Sequence, residues 1–236
     1  IANIQIENKY TNKSSTAFVY LKKIRIFATR YMKYIFGQKK EMTEVFDDKG
    51  NNIAVTKVYA TPHVVIQKKT IDKDGYEAVQ IGFGESKKIG TALKGLLKKN
   101  TSQGVREIRI DTAHGKRDLP VEIGGSLDVS QFEIGDKVFV RGVTKGKGFQ
   151  GVVRRHGFKG GPASHGHKDQ LRMPGSIGPT GPQEVFKGTK MGGRMGGKSA
   201  TITNLEIMKV DVKDNSLYIK GAVPGARNGW LEIVSE

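Results

Sequence analysis

The segment from Arg141 to Lys198 cannot build a core of its own. It holds 16 of the chain's 31 glycines and four of its seven prolines, and its apolar side chains are few and scattered. Ordering that much backbone costs more free energy than so little apolar burial returns. Alone, such a segment is expected to be mobile, and to order against a partner. The partner's chemistry is legible in the charge. The segment carries 12 Lys and Arg against two acids, Asp169 and Glu184, so it holds +10 of the formal +17 of the 236-residue chain. Glycine lets backbone approach a ligand, Lys and Arg neutralise phosphate, and Pro stiffens a loose chain. The pattern suits a basic finger threading between packed nucleic-acid helices; the bland alternative is a flexible basic linker.

The remaining sequence is more ordinary. Short β-branched and aromatic runs are separated by turn residues: TEVFD (43–47), IAVTKVYA (53–60), HVVIQKKT (63–70), YEAVQIGF (76–83) and REIRID (106–111). Further runs are EIGDKVFVRGV (133–143), TITNLEIMKVDV (201–212), SLYIKGAVPG (216–225) and NGWLEIV (228–234). This pattern predicts an all-β fold with a minor helix, a barrel made from both halves of the chain, 32–140 and 199–236. Residues 141–198 are then one long insertion between two strands. The helix is expected over 86–99, where Ile89, Leu93, Leu96 and Leu97 share one face and Ser86 stands as a cap. Trp230, the single Trp, is expected to pack rather than to act. Residues 1–31 read as a basic extension: a surface helix, a targeting segment or an RNA-contacting tail. There is no Cys, hence no disulfide and no thiolate metal site, and no apolar run long enough for a membrane-spanning helix.

Three motif matches invite other chemistry. GGRMGGKS (192–199) has the spacing of a phosphate-binding P-loop. A working P-loop joins a buried strand to a helix. Here the preceding text is short and polar, and the following ATITNLEIMKV reads as a strand, so nucleotide hydrolysis is not expected. GKGFQG (146–151) fits the dinucleotide fingerprint, but the glycines and proline after it argue against the required helix. His156, His165 and His167 lack the Cys or carboxylate partners of a metal shell. No cofactor, metal or catalytic residue is therefore expected.

The blocks VRGVTKGKGFQGVVRRHGF, SHG, LRMPGSIG, VFKGTKMGGRMGGKSATITNLEI and LYIKGAVPGARNG, in this order, resemble the bacterial type of large-subunit ribosomal protein three. MKYIFGQKKEMTEVFDDKGNNIAVTKV is similar to that family's opening strands, so the resemblance covers about 32–236. It implies a translation-protein-type β-barrel that binds large-subunit rRNA, supports early subunit assembly and sends its internal extension toward the peptidyl transferase centre. It implies partners among neighbouring large-subunit proteins, no membrane and no small-molecule substrate, and a place in cytoplasmic or organellar ribosomes.

The implied RNA contacts are Lys145, Lys147, Arg154, Arg155 and Lys159 on the outgoing arm. His165, His167, Lys168 and Arg172 precede the tip, and Lys187, Lys190, Arg194 and Lys198 lie on the return arm. Gly175, Ser176, Gly178, Thr180 and Gly181 are implied near the catalytic RNA. The sequence departs from the family at Glu41, where glycine is usual and a changed turn is expected. It departs again at the short tip GPTGPQEVF. There Gly181 falls at the position of a glutamine that some members methylate and Gln183 is displaced, so no modification is expected. Nucleotidase activity and extra-ribosomal nucleic-acid binding are the alternatives from other classes.

Overall fold

The computed structural model describes residues 32–47, 49–86, 89–97, 102–112, 115–116 and 122–235. The expected N-terminal extension 1–31 lies outside the described residues. In chain order the strands are β1 (Tyr34–Phe46), β2 (Asn52–Tyr59), β3 (His63–Lys69), β4 (Ala78–Glu85), β5 (Ser102–Arg109), β6 (Asp111–Thr112) and β7 (Gly115–Lys116). They continue with β8 (Ser126–Leu127), β9 (Lys137–Val143), β10 (Phe149–Gln150), β11 (Gly193–Arg194), β12 (Ser199–Asp211), β13 (Ser216–Lys220) and β14 (Trp230–Ser235). Three short α-helices are described: α1 (Ile71–Asp74), α2 (Thr91–Leu97) and α3 (Val152–His156).

Strands from both halves of the chain close a barrel in the order β1-β14-β9-β12-β13-β2, with β2 returning to β1. Alternate residues point inward. Ile35, Val58, Val140, Ile207, Leu217, Ile219, Leu231 and Ile233 meet inside and are almost fully buried. The two 13-residue strands turn the corners. In β1 the register shifts between Lys39 and Glu41, where the strand passes from β14 to β2. In β12 it shifts between Ile202 and Leu205, around Asn204 at φ 58°. An extra residue on one strand bends it and increases its twist, which a small closed barrel needs. Glu41 therefore lies within a strand beside a bulge, and not in the turn that its departure from the family suggested.

Not every expected strand enters the barrel. β5-β4-β3-β8 form a separate antiparallel sheet laid against the outer face of β1 and β14. The reason is apolar matching. Tyr34, Phe36 and Val234 face out from the barrel and cover Val65, Val79, Ile81 and Ile108 of this sheet. Both faces of early β1 are thus buried, so its text MKYIF shows no alternation. Trp230 is half-buried in the same seam. It stacks on Phe36 with ring centroids 5.1 Å apart, and Phe83 meets both rings edge-on. That is the packing role expected of it.

Helix α2 is shorter than 86–99. It starts at Thr91, so Ser86 does not cap it. Gly90, directly before Thr91, disfavours an earlier start, and residues 87–88 and 98–99 of the expected helix lie outside the described residues.

Candidate nucleic-acid interface

The glycine-rich segment grows out of the β9–β12 hairpin. The ladder pairs Val143 with Ser199, so the insertion starts after Val143, three residues later than charge and composition suggest. Pairing does not stop there. Thr144 N–H donates to Lys198 O at 2.9 Å, Gly197 N–H to Thr144 O at 3.1 Å and Lys147 N–H to Met195 O at 2.9 Å. Strands β10 and β11 then pair Phe149 with Arg194 and Gln150 with Gly193. The near half of the extension is a two-stranded ribbon held by its own backbone bonds. A purely compositional reading, which expects order only against a partner, misses those bonds.

Helix α3 follows at once. GKGFQG is therefore succeeded by a helix after all, contrary to expectation. It is a single five-residue element that Gly157 ends at φ 73°. The strand before it belongs to a two-stranded ribbon and not to a parallel sheet, so no dinucleotide cradle results. The helix serves to lock the arms together. Arg155 donates to Met191 O at 2.6 Å, and the His156 ring meets the same oxygen at 3.0 Å.

This geometry assigns the glycines of GGRMGGKS. A Cβ on Gly193 would sit 2.9 Å from Arg155 Nη1. Gly196, at φ 72°, lies so close to the Lys145 carbonyl that any side chain would overlap it. These glycines admit the opposite arm of the extension itself. Ser199 begins β12 directly, so no helix follows the string, as expected. We predict that Lys198→Ala lowers the steepness of the log affinity versus log salt plot for RNA by about 0.7–0.9, the share of one phosphate contact. Nucleotide hydrolysis lost on this substitution would instead restore the P-loop assignment.

Of the implied RNA contacts, Lys145, Lys147, Arg154, Lys159, His165, Lys168, Arg172, Lys187, Lys190, Arg194 and Lys198 are exposed. Arg155 and His167 are half-buried. Arg154 donates to Gln150 Oε1 at 3.2 Å. Among the described residues, no ion pair joins any of these cations to a carboxylate. Arg141, below them, pairs with Glu232 at 3.4 Å. The tip residues Gly175, Ser176, Gly178, Thr180 and Gly181 are all exposed, as is every residue from 168 to 188. At the root, Lys39 donates to Val223 O at 2.8 Å. Burial first, and then the Lys145 charge, lower its pKa.

The structure also gathers a basic cleft of about 500 Å3 on the barrel, lined by Lys40, Lys57, Tyr59, Lys213 and Arg227, with Glu41 and Asp214 beside them. Lys57 and Asp214 are 3.8 Å apart, and the Tyr218 hydroxyl, ahead of Asp214, raises the Lys57 pKa. Sequence reasoning did not assign this cleft, because its cations come from two strands and two turns far apart in the chain and carry no local run. Exposed aromatics were missed too: Phe149 is 79% exposed on the ribbon.

Residues 90–216 match the family described as ribosomal protein L3, just over half of the chain. The chain belongs to the ribosomal protein L3 family. It is 45% identical over 203 residues to the large ribosomal subunit protein uL3 of Shouchella clausii, covering 86% of this chain and 97% of the relative. The corresponding protein of Chlorobaculum tepidum is 46% identical over 207 residues, covering 85% and 97%. That of Streptococcus pyogenes is 45% identical over 205 residues, covering 86% and 96%. The family is a structural component of the large ribosomal subunit and not an enzyme family, so the P-loop spacing has no catalytic meaning here. The matched span includes the whole extension, which is therefore a family feature and not an insertion peculiar to this chain.

Proposed function

We propose that this chain is a structural constituent of the large ribosomal subunit that grips large-subunit rRNA with its extension. One observation carries the reading. A hairpin rooted in a closed barrel projects a row of exposed cations that no carboxylate among the described residues neutralises. In a segment of +10, such a row is stable in place only beside a polyanion. The barrel supplies a rigid root. The ribbon and α3 supply reach, and the narrow tip, poor in bulky side chains, suits a path between packed RNA helices.

In this reading the tip approaches the peptidyl transferase centre, and early binding of the barrel and extension organises the RNA around them. Neighbouring large-subunit proteins would meet the barrel's outer surfaces. The proposed location is the ribosome in the cytoplasm, on the bacterial character of the relatives. The test is sedimentation of the tagged full chain from cells. It should run with the large subunit, and remain there after washes that strip loosely held proteins. A chain found only in ribosome-free fractions would overturn the reading and favour extra-ribosomal nucleic-acid binding.

A further inference from the structure

We propose that the extension carries a built-in receptacle for a single unstacked nucleobase, between Phe158 and Met173. This rests on the reading of the extension as RNA-binding and adds how it holds one nucleotide. The observation is a cavity of about 570 Å3 within the extension, bounded by Phe158, Lys159, Gly161, His167, Gln170 and Met173. Its volume lies in the usual range for sites that take a small organic ligand.

The chain goes to some length to make this space. Gly160 turns the backbone at φ 77°, and Gly161 N–H donates to Leu171 O at 3.0 Å. That bond folds the segment 158–161 back against 167–173. A Cβ on Gly161 would come within 3.2 Å of His167 Nδ1 and 3.1 Å of Gln170 O. The missing side chain is what lets the imidazole lie against the backbone and form one wall. Phe158 is half-buried on another side, while Met173 is 51% exposed. Among the described residues nothing covers that Met173 surface.

The chemistry of the lining selects the occupant. A site for phosphate alone would gather several cations or backbone amides around one point, and this cavity has Lys159 as its one cation. Its walls are instead an aromatic ring, an imidazole and a thioether, which suit the faces of a flat heterocycle. The Gln170 amide can donate to and accept from a base edge, and Lys159 at the rim can meet the attached phosphate. Because the surrounding segment carries +10, the flat heterocycle that arrives attached to a polyanion is a base of RNA. Single-stranded loops and bulges present such bases.

The test uses the full chain and large-subunit RNA. Phe158→Ala should weaken binding roughly 5- to 150-fold, the loss expected for one stacked base, without changing the salt slope. Phe158→Tyr, which keeps the ring, should restore affinity. Lys159→Ala should make the slope shallower by about 0.7–0.9. Chemical probing of the bound RNA should show one base whose pairing edge is shielded by the parent chain and reactive with Phe158→Ala. Trp230 emission, which reports the barrel seam, checks that each variant is folded. Equal affinity of Phe158→Ala and Met173→Ala to the parent, with unchanged base reactivity, would overturn the receptacle while leaving RNA binding intact. A parent chain that binds no large-subunit RNA would overturn the proposed function and the receptacle with it.

Discussion

Replacing residues 145–196 with a short Gly-Ser turn should leave a folded barrel that has lost most of its salt-dependent grip on RNA. The expected size follows from counterion release. A protein contacting roughly six to ten phosphates loses about 10³–10⁵-fold in affinity between 50 and 200 mM salt. The deleted segment contains ten of the twelve Lys and Arg counted between Arg141 and Lys198. The intact chain should therefore show the steep fall, and the deleted chain a log–log slope shallower by about four to nine. The barrel should survive because its ladder closes at Val143 and Ser199, below the cut, and its inner core draws on no residue of 145–196. Trp230, stacked on Phe36, should emit as in the parent. An unchanged slope would move the RNA face onto the barrel, with the cleft of Lys40, Lys57, Lys213 and Arg227 as its first candidate.

The contrast between those two basic surfaces shows what a sequence can reveal here. The extension is legible because its charge and glycines are local, so a window along the chain detects them. The cleft is invisible because only the closed barrel brings residues 40 and 57 of its strands and 213 and 227 of its turns together. The same division holds for the fold. Strands β2, β3, β9, β12, β13 and β14 were readable from β-branched text and turn residues, since those signals span only a few positions. Which sheet each strand joins was not readable. β3 and β4 look no different from barrel strands, and only the outward-facing Tyr34, Phe36 and Val234 send them to a second layer. Early β1 is legible through the resemblance to the family's opening strands and not through alternation, since a strand buried on both faces loses its period. Glycine roles were half legible. Close approach at Gly193 and Gly196 was expected, but the approaching groups are Arg155 and the Lys145 carbonyl. The phosphate-like spacing of GGRMGGKS thus arises from a hairpin fitting against itself.

The seam between the two sheets should make the protein sensitive to mild acid through one residue, His63. It stands at the start of β3, fully buried, and accepts the Phe36 N–H of β1 on Nε2 at 2.9 Å. It thereby ties the second sheet to the barrel. Among the described residues, its Nδ1 has no hydrogen-bond partner. Burial, the largest cause, lowers its pKa to about 4, and backbone groups of Phe36 and Pro62 oppose this by less. The ring is therefore neutral when folded at pH 7. Unfolded, it titrates near 6.5. With the folded value depressed, the unfolded chain binds the extra proton between these limits. Stability from this group is present above about pH 6.5 and is lost as pH falls toward 4. The loss by pH 4 amounts to about 3 kcal/mol. Asp136 and Glu107 are also held low, by Lys33 and Lys69 among others, and lose stability in the same direction as acid protonates them. The informative quantity is therefore a difference. Denaturant midpoints of the parent and of His63→Gln, whose amide oxygen can still accept from Phe36, should converge as pH falls from 7 to 4. A gap that stays constant over that range would mean that His63 is not the acid-sensitive tie between the layers.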